Sequence, residues 1–160
     1  ASELVDSSLK IEIYLIGHGN QESKLKELAV GKKNLQILPS VSDLELSTVL
    51  SASDLLLVNE RPTQINMSLP SKLTSYLFSN RPVIAAVPRD GATWNFLEGM
   101  AELVEAGNPR ALADKIEELA KNSSRCHELA KRGFEFATRN LEPETGRSHY
   151  LNWVKDLTGE

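Results

Sequence analysis

Strand signals and helix signals alternate along this chain from one end to the other, and nothing else in the sequence constrains the fold so tightly. The segment 11–16 (IEIYLI) reads as a buried strand ended by Gly17. Residues 21–30 (QESKLKELAV) read as a helix with Leu25, Leu28 and Ala29 on one face. A short strand at Leu35–Leu38 follows, and then Ser42 and Glu45 stand in the spacing of a capping box that opens a helix to about Ser51. Residues Leu55–Val58 form a third strand. After the polar stretch 59–68 (NERPTQINMS), a helix is expected from about Leu69 and Pro70, with Leu69, Leu73 and Leu77 four residues apart. A fourth strand at Val83–Val87, a short helix near Trp94–Gly99 and a weak fifth strand at Glu102–Val104 come next. Asn108 and Pro109 then carry the N-cap and first-turn chemistry of a strong amphipathic helix built on Leu112, Ile116 and Leu119. Two more helices fill about Arg125–Arg139 and Glu144–Leu157. Such alternation implies right-handed crossovers and a parallel sheet with helices on both faces, an α/β fold.

The 160 residues suit one domain, taken as 1–160, with no repeat, linker or low-complexity stretch. Hydrophobic residues at 41% against 25% charged argue for a packed core rather than disorder. The net charge of -4 and the absence of a lysine or arginine block exclude a nucleic-acid surface as the expected role. A phosphate-bearing ligand is compatible with that balance, because helix termini and a few local cations suffice to bind one. The single Cys126 rules out a disulfide framework and fits a reducing compartment. The apolar runs are far short of the roughly 20 residues a span needs. The N-terminal stretch has no signal-peptide core either, so a cytoplasmic location is expected.

Ligands of parallel α/β sheets bind beyond the carboxyl ends of the strands. The segments to test are therefore Gly17–Gln21, Pro39–Asp43, Asn59–Ser71 and Pro88–Asn95. A dinucleotide fingerprint fails at Glu22, where helix–strand packing would need a third glycine. Asp54 lies at the wrong end of its strand for a phospho-acceptor site. No P-loop, nucleophile elbow or hydrolytic carboxylate pair occurs, and His18, His127 and His149 are too scattered to predict a metal site. What remains is the polar loop leading into a helix start at Lys72, where amides and a cation would suit a phosphate. Taken alone, Lys72 reads more readily as a solvated helix lysine than as a phosphate ligand. Trp94 and Trp153 are expected as packing anchors, Lys115, Glu117, Glu118 and Lys121 as a solvated helix face, and Arg89 to Gly91 as a turn.

Residues 34–119 resemble the C-terminal domain of the retaining family-4 glycosyltransferases. The segments 35–43 (LQILPSVSD) and 50–55 (LSASDL) are similar to that family's strand, small turn and helix. Residues 69–85 (LPSKLTSYLFSNRPVIA) look like its PSKL-to-GRPVIA passage in the form seen in colanic-acid and capsular-type enzymes. Residues 103–113 (LVEAGNPRALA) and 15–19 (LIGHG) match two further motifs. The resemblance implies a Rossmann-like sheet, one half of a GT-B enzyme, that binds a nucleotide-diphosphate sugar and needs no separate cofactor or metal. It places Val41 and Asp43 near the base. Asn66, Met67, Ser68 and Leu69 would meet the diphosphate, with Ser71, Lys72 and Ser75 close by, and Gly17, His18 and Gly19 would face an interdomain cleft.

Two departures stand out. Where many members carry a pair of glutamates, one in the loop and one in the helix, this chain has Met67 and Ser75. The resemblance also implies a strand, a glycine turn and a helix ahead of Ile11, whereas only Ala1–Lys10 precede it, so the first strand is expected to be missing. The partners implied are the donor and the protein's own N-terminal acceptor domain, through which any membrane contact would come. The fragment alone is expected to be inactive. The alternatives are a degenerate, non-catalytic domain of the same fold, which binds nucleotide or protein, and an epimerase of GT-B type relying on His18.

Overall fold

The computed structural model describes residues 1–65 and 68–158. A 3-10 turn at Ser7–Leu9 leads into β1 (Ile13–Ile16), α1 (Glu22–Ala29), β2 (Leu35–Leu38), α2 (Asp43–Ala52) and β3 (Leu56–Asn59). Then come α3 (Lys72–Phe78), β4 (Val83–Val87), α4 (Ala92–Leu97), β5 (Glu102–Glu105), α5 (Pro109–Lys121), α6 (Ser123–Asn140) and α7 (Pro143–Thr158). Every strand pairing is parallel. Ile13 lies opposite Leu35, Leu56 opposite Val83, and Ile84 opposite Glu102.

The strands form two sheets, β1-β2 and β3-β4-β5, rather than one. A doubly wound sheet has the spatial order 3-2-1-4-5-6. Taking strand 1 out of that order leaves 3-2 and 4-5-6, which are the orders observed here. β1 and β3 each keep one edge without a strand partner among the described residues.

The core is organised around β4, whose five residues are all buried. Side chains alternate across a strand. Val83, Ala85 and Val87 therefore enter one cluster with Leu56, Val58, Leu73, Leu77 and Leu97. Ile84 and Ala86 enter the other with Val104, Leu112, Ile116, Leu119 and Leu129. Each fully buried aliphatic side chain is worth about 1.5–3 kcal/mol. Leu69, expected to extend the α3 stripe, instead precedes the helix and is exposed, because the regular turn begins only where Leu73 N–H bonds to Pro70 C=O at 3.0 Å.

The smaller sheet corrects the reading of residues 11–16 as a buried strand. In β1, half-buried Ile13 and Leu15 alternate with exposed Tyr14 (47%) and Ile16 (37%). Leu25 and Leu28 of α1 are exposed as well. A parallel strand is buried only when both of its faces are covered, and here one face of β1 stays open. The N-terminal segment ties this layer to the rest. Val5 is buried, Asn34 Nδ2 donates to Ser2 C=O at 2.7 Å, and Asp6 N–H donates to Glu117 Oε1 at 2.8 Å. Glu117 and Lys115 are therefore not merely solvated, since Lys115 Nζ also pairs with Glu102 at 3.3 Å. Trp153 is 58% exposed rather than a packing anchor, and Tyr150 and Leu151 beside it on α7 are exposed too. α7 turns these side chains outward.

Gly107, in the turn after β5, has φ +82°, and a Cβ there would lie 2.9 Å from Pro62 Cγ. Gly99 has φ +78° with nothing within 4 Å of such a Cβ. Gly99→Ala should therefore cost only the left-handed strain, about 1–2 kcal/mol. Gly107→Ala adds the collision, for about 2–4 kcal/mol in total. Urea denaturation of the two variants measures the difference, and equal losses would refute the tight packing of Pro62.

Candidate functional site

Because β3, β4 and β5 run in the same direction, their carboxyl ends and following loops share one edge of the sheet. The loops support one another there. Pro62 rests on Gly107, and a Cβ at Gly91 would make a tight 3.1 Å contact with Pro88 C=O. Arg61 N–H donates to Gln64 Oε1 at 2.7 Å, and Gln64 N–H returns to Arg61 C=O at 3.0 Å, closing a local turn.

Beyond β3, Glu60 N–H bonds to Ala86 C=O at 2.9 Å, which extends the β3–β4 ladder by one residue. The two-residue period then puts Glu60 on the same side as Leu56 and Val58. Its Oε1 accepts a hydrogen bond of 2.7 Å from Thr93 Oγ1. Thr93, near the start of α4, is only 3% exposed, the one buried polar residue among those described.

A cleft of about 460 Å³ opens at this point, within the ~300–1,000 Å³ of small-molecule sites. Of the residues singled out in the sequence, Ser68, Leu69, Ser71 and Lys72 line it. Val58, Asn59, Glu60, Gln64 and Pro70 complete the lining. Glu60, Gln64 and Thr93 had not been singled out individually. The usable signal for the first two was their place just past a strand end in the loop already marked for testing.

Lys72 opens α3 and is solvent-accessible as a residue, with Nζ 6.0 Å from the centre of the Tyr76 ring. Enough protein surrounds the ammonium to push its pKa below the ordinary lysine value, while the Glu60 charge works in the opposite direction. Burial also raises the pKa of Tyr76. The Ser71 side chain makes no capping bond to α3. One wall of the cleft thus offers donors only, from Lys72, and another, at Glu60, offers acceptors only.

The remaining predicted residues lie elsewhere, apart from Asn66 and Met67, which fall outside the described residues. Gly17, with φ +146°, follows β1 and donates to Leu38 C=O at 3.1 Å. His18 is exposed, its Nδ1 3.7 Å from Glu22, and Gly19 C=O accepts from Glu22 N–H at 3.1 Å. Val41 and Asp43 flank Ser42, which caps α2 in a complete capping box with Glu45. Ser75 is exposed on α3, one turn beyond Lys72. None of these lines the cleft. Among the described residues no three His, Cys, Asp or Glu groups come close enough together to hold a metal ion. Among the described residues no helix is long and apolar enough to cross a membrane. A second hollow on α6, between Phe134 and Arg139, lies away from the strand ends, and its Arg139 is already paired with Glu135 at 3.5 Å.

Comparison with known proteins follows the same lines. The structure is similar to Anabaena HepE in complex with UDP-glucose and in complex with UDP, with a TM-score of 0.75 at 16% identity over 96% of this chain. It is also similar to TarM, with a TM-score of 0.74 at 19% identity over 94% of this chain. The chain spans 44% of the HepE chain and 30% of the TarM chain. At such identities the likeness is one of fold, that of one half of a GT-B enzyme. No curated protein matches the sequence. The family model described as Glycosyl transferases group 1 matches residues 1–122, and the chain belongs to that family.

Proposed function

We propose that this chain is the donor-binding half of a glycosyltransferase, transferring a sugar from a nucleotide-diphosphate sugar to an acceptor hydroxyl in polysaccharide or glycoconjugate synthesis. The observation that carries this reading is the cleft at the β3 carboxyl end, where Lys72, Ser71 and Ser68 converge over a rigid core. That HepE, of the same fold, binds UDP-glucose and UDP supports it.

Breaking the anomeric C–O bond leaves negative charge on the departing diphosphate. The Lys72 ammonium at the start of α3 would stabilise that charge as it develops. Leu69 edges the same ligand, and the resemblance assigns the preceding Asn66 and Met67 to the diphosphate as well. Ser75 belongs beside Lys72, while Gly17, His18, Gly19, Val41 and Asp43 belong to the surface reached by the base and by an N-terminal acceptor domain closing from above. Closure excludes water and orients the acceptor hydroxyl. The donor is a substrate, and the reading requires no further cofactor. A cytoplasmic setting is part of it, supported by the lone free thiol of Cys126.

Calorimetry of the full-length protein with UDP, GDP and ADP tests the reading. One of them should bind, and Lys72→Ala should weaken it roughly tenfold to hundredfold with little change in the Tm of the empty protein. Absence of binding to all three would overturn the donor reading in favour of a degenerate domain.

The depressed Lys72 pKa gives a second expectation. In the empty site Lys72 loses its proton at a lower pH than a free lysine, and a bound diphosphate favours the charged form. Binding at alkaline pH should therefore take up protons, and affinity should fall as pH rises through the Lys72 pKa. Binding enthalpies in buffers of different ionisation heat report the uptake, which Lys72→Met should abolish.

A further inference from the structure

We infer that Glu60 is the hydroxyl-accepting wall of the donor pocket and that Thr93 is the residue that positions it. The inference rests on the donor-binding reading above and names which part of the ligand one carboxylate meets.

Glu60 lines the cleft half-buried, yet among the described residues it forms no ion pair within 4.0 Å, unlike Glu22, Glu102 and Glu128, which all pair with cations. Its one side-chain hydrogen bond among the described residues is from Thr93 Oγ1. A carboxylate offers about four lone-pair sites and no donor, so most of its capacity faces the cleft unused. Thr93 in turn is buried at 3% exposure, and its hydroxyl bonds to Glu60. With the backbone fixed to Ala86 C=O and one oxygen fixed by Thr93, the other oxygen has a set direction.

Chemical complementarity then selects the partner. A diphosphate repels a carboxylate and belongs with Lys72. The parts of a nucleotide sugar that carry donors and no negative charge are the ribose diol and the hydroxyls of the transferred sugar. A donor-only wall beside an acceptor-only wall fits a ligand in which a dianion and a polyol are neighbours. Glu60 thereby offers from the β3 end a carboxylate that Met67 and Ser75 cannot offer from the loop and helix.

The test uses full-length protein and the diphosphate nucleotide it binds best, compared with its 2′,3′-dideoxy analogue and with its nucleotide sugars. In the wild type, removing the diol or the sugar should lower affinity. Glu60→Gln should bind the hydroxyl-bearing ligand about tenfold more weakly and the analogue without those hydroxyls as well as the wild type does. Thr93→Val should give a smaller loss confined to the same ligand, with the Tm checking that each variant is folded. Coupling to the diol identifies ribose, and coupling to the sugar identifies the transferred group; either supports the role. Unchanged ligand ratios in Glu60→Gln would overturn it, and the donor reading would stand if Lys72→Ala still weakened the nucleotide. A wild-type protein that binds no nucleotide would overturn the donor reading and this role with it.

Discussion

The structure depends on the burial of β4. A central parallel strand with every side chain inside the protein must be covered on both faces, and its neighbours β3 and β5 must run the same way. That requirement gathers three carboxyl ends and three loops at one edge. The contacts of Pro62 with Gly107 and of Glu60 with Ala86 and Thr93 follow from this gathering. The cleft is shaped by backbone that the core holds in place, which is the form of pre-organisation a binding site needs.

Electrostatics in the cleft are local. The chain is acidic as a whole, with a net charge of -4, yet a site suited to an anion arises where one ammonium stands at a helix start. Glu60 tempers the desolvation of Lys72 without forming a close pair with it. The two charges remain free to address different parts of a ligand instead of neutralising each other, which a tight salt bridge would prevent.

The order of elements was legible because period and punctuation agree. The Ser42–Glu45 box, the Asn108–Pro109 start and the apolar stripe of α5 all stand where the sequence put them. The burial of β1 was not legible. An apolar strand reads as buried whatever lies beside it, and whether a covering face exists is a matter of tertiary neighbours. In the site, Ser68, Leu69, Ser71 and Lys72 were within reach of motif and position. Glu60 was not singled out, because its meaning comes from Thr93, thirty-three residues further along the chain. No local pattern links a hydroxyl in one loop to a carboxylate in another. The departure at Met67 and Ser75 drew attention to absent carboxylates, while the one present lay a few residues upstream.

The division of the strands into two sheets also sets a hierarchy of local stability. Opening free energies within a protein scale with buried apolar contact, and the β1-β2 layer has little of it beside the fully enclosed Val58 and Ile84. Amide protons of Leu15 and Ile37 should therefore exchange with solvent through fluctuations that leave β4 intact. The glycine turn at Gly17 and the α2 cap at Ser42 ride on the softer layer, whereas Glu60 and Lys72 are anchored to the harder one. A ligand bridging the two would find one side fixed and the other adaptable, and by ordering the soft layer it would slow exchange far from any atom it touches.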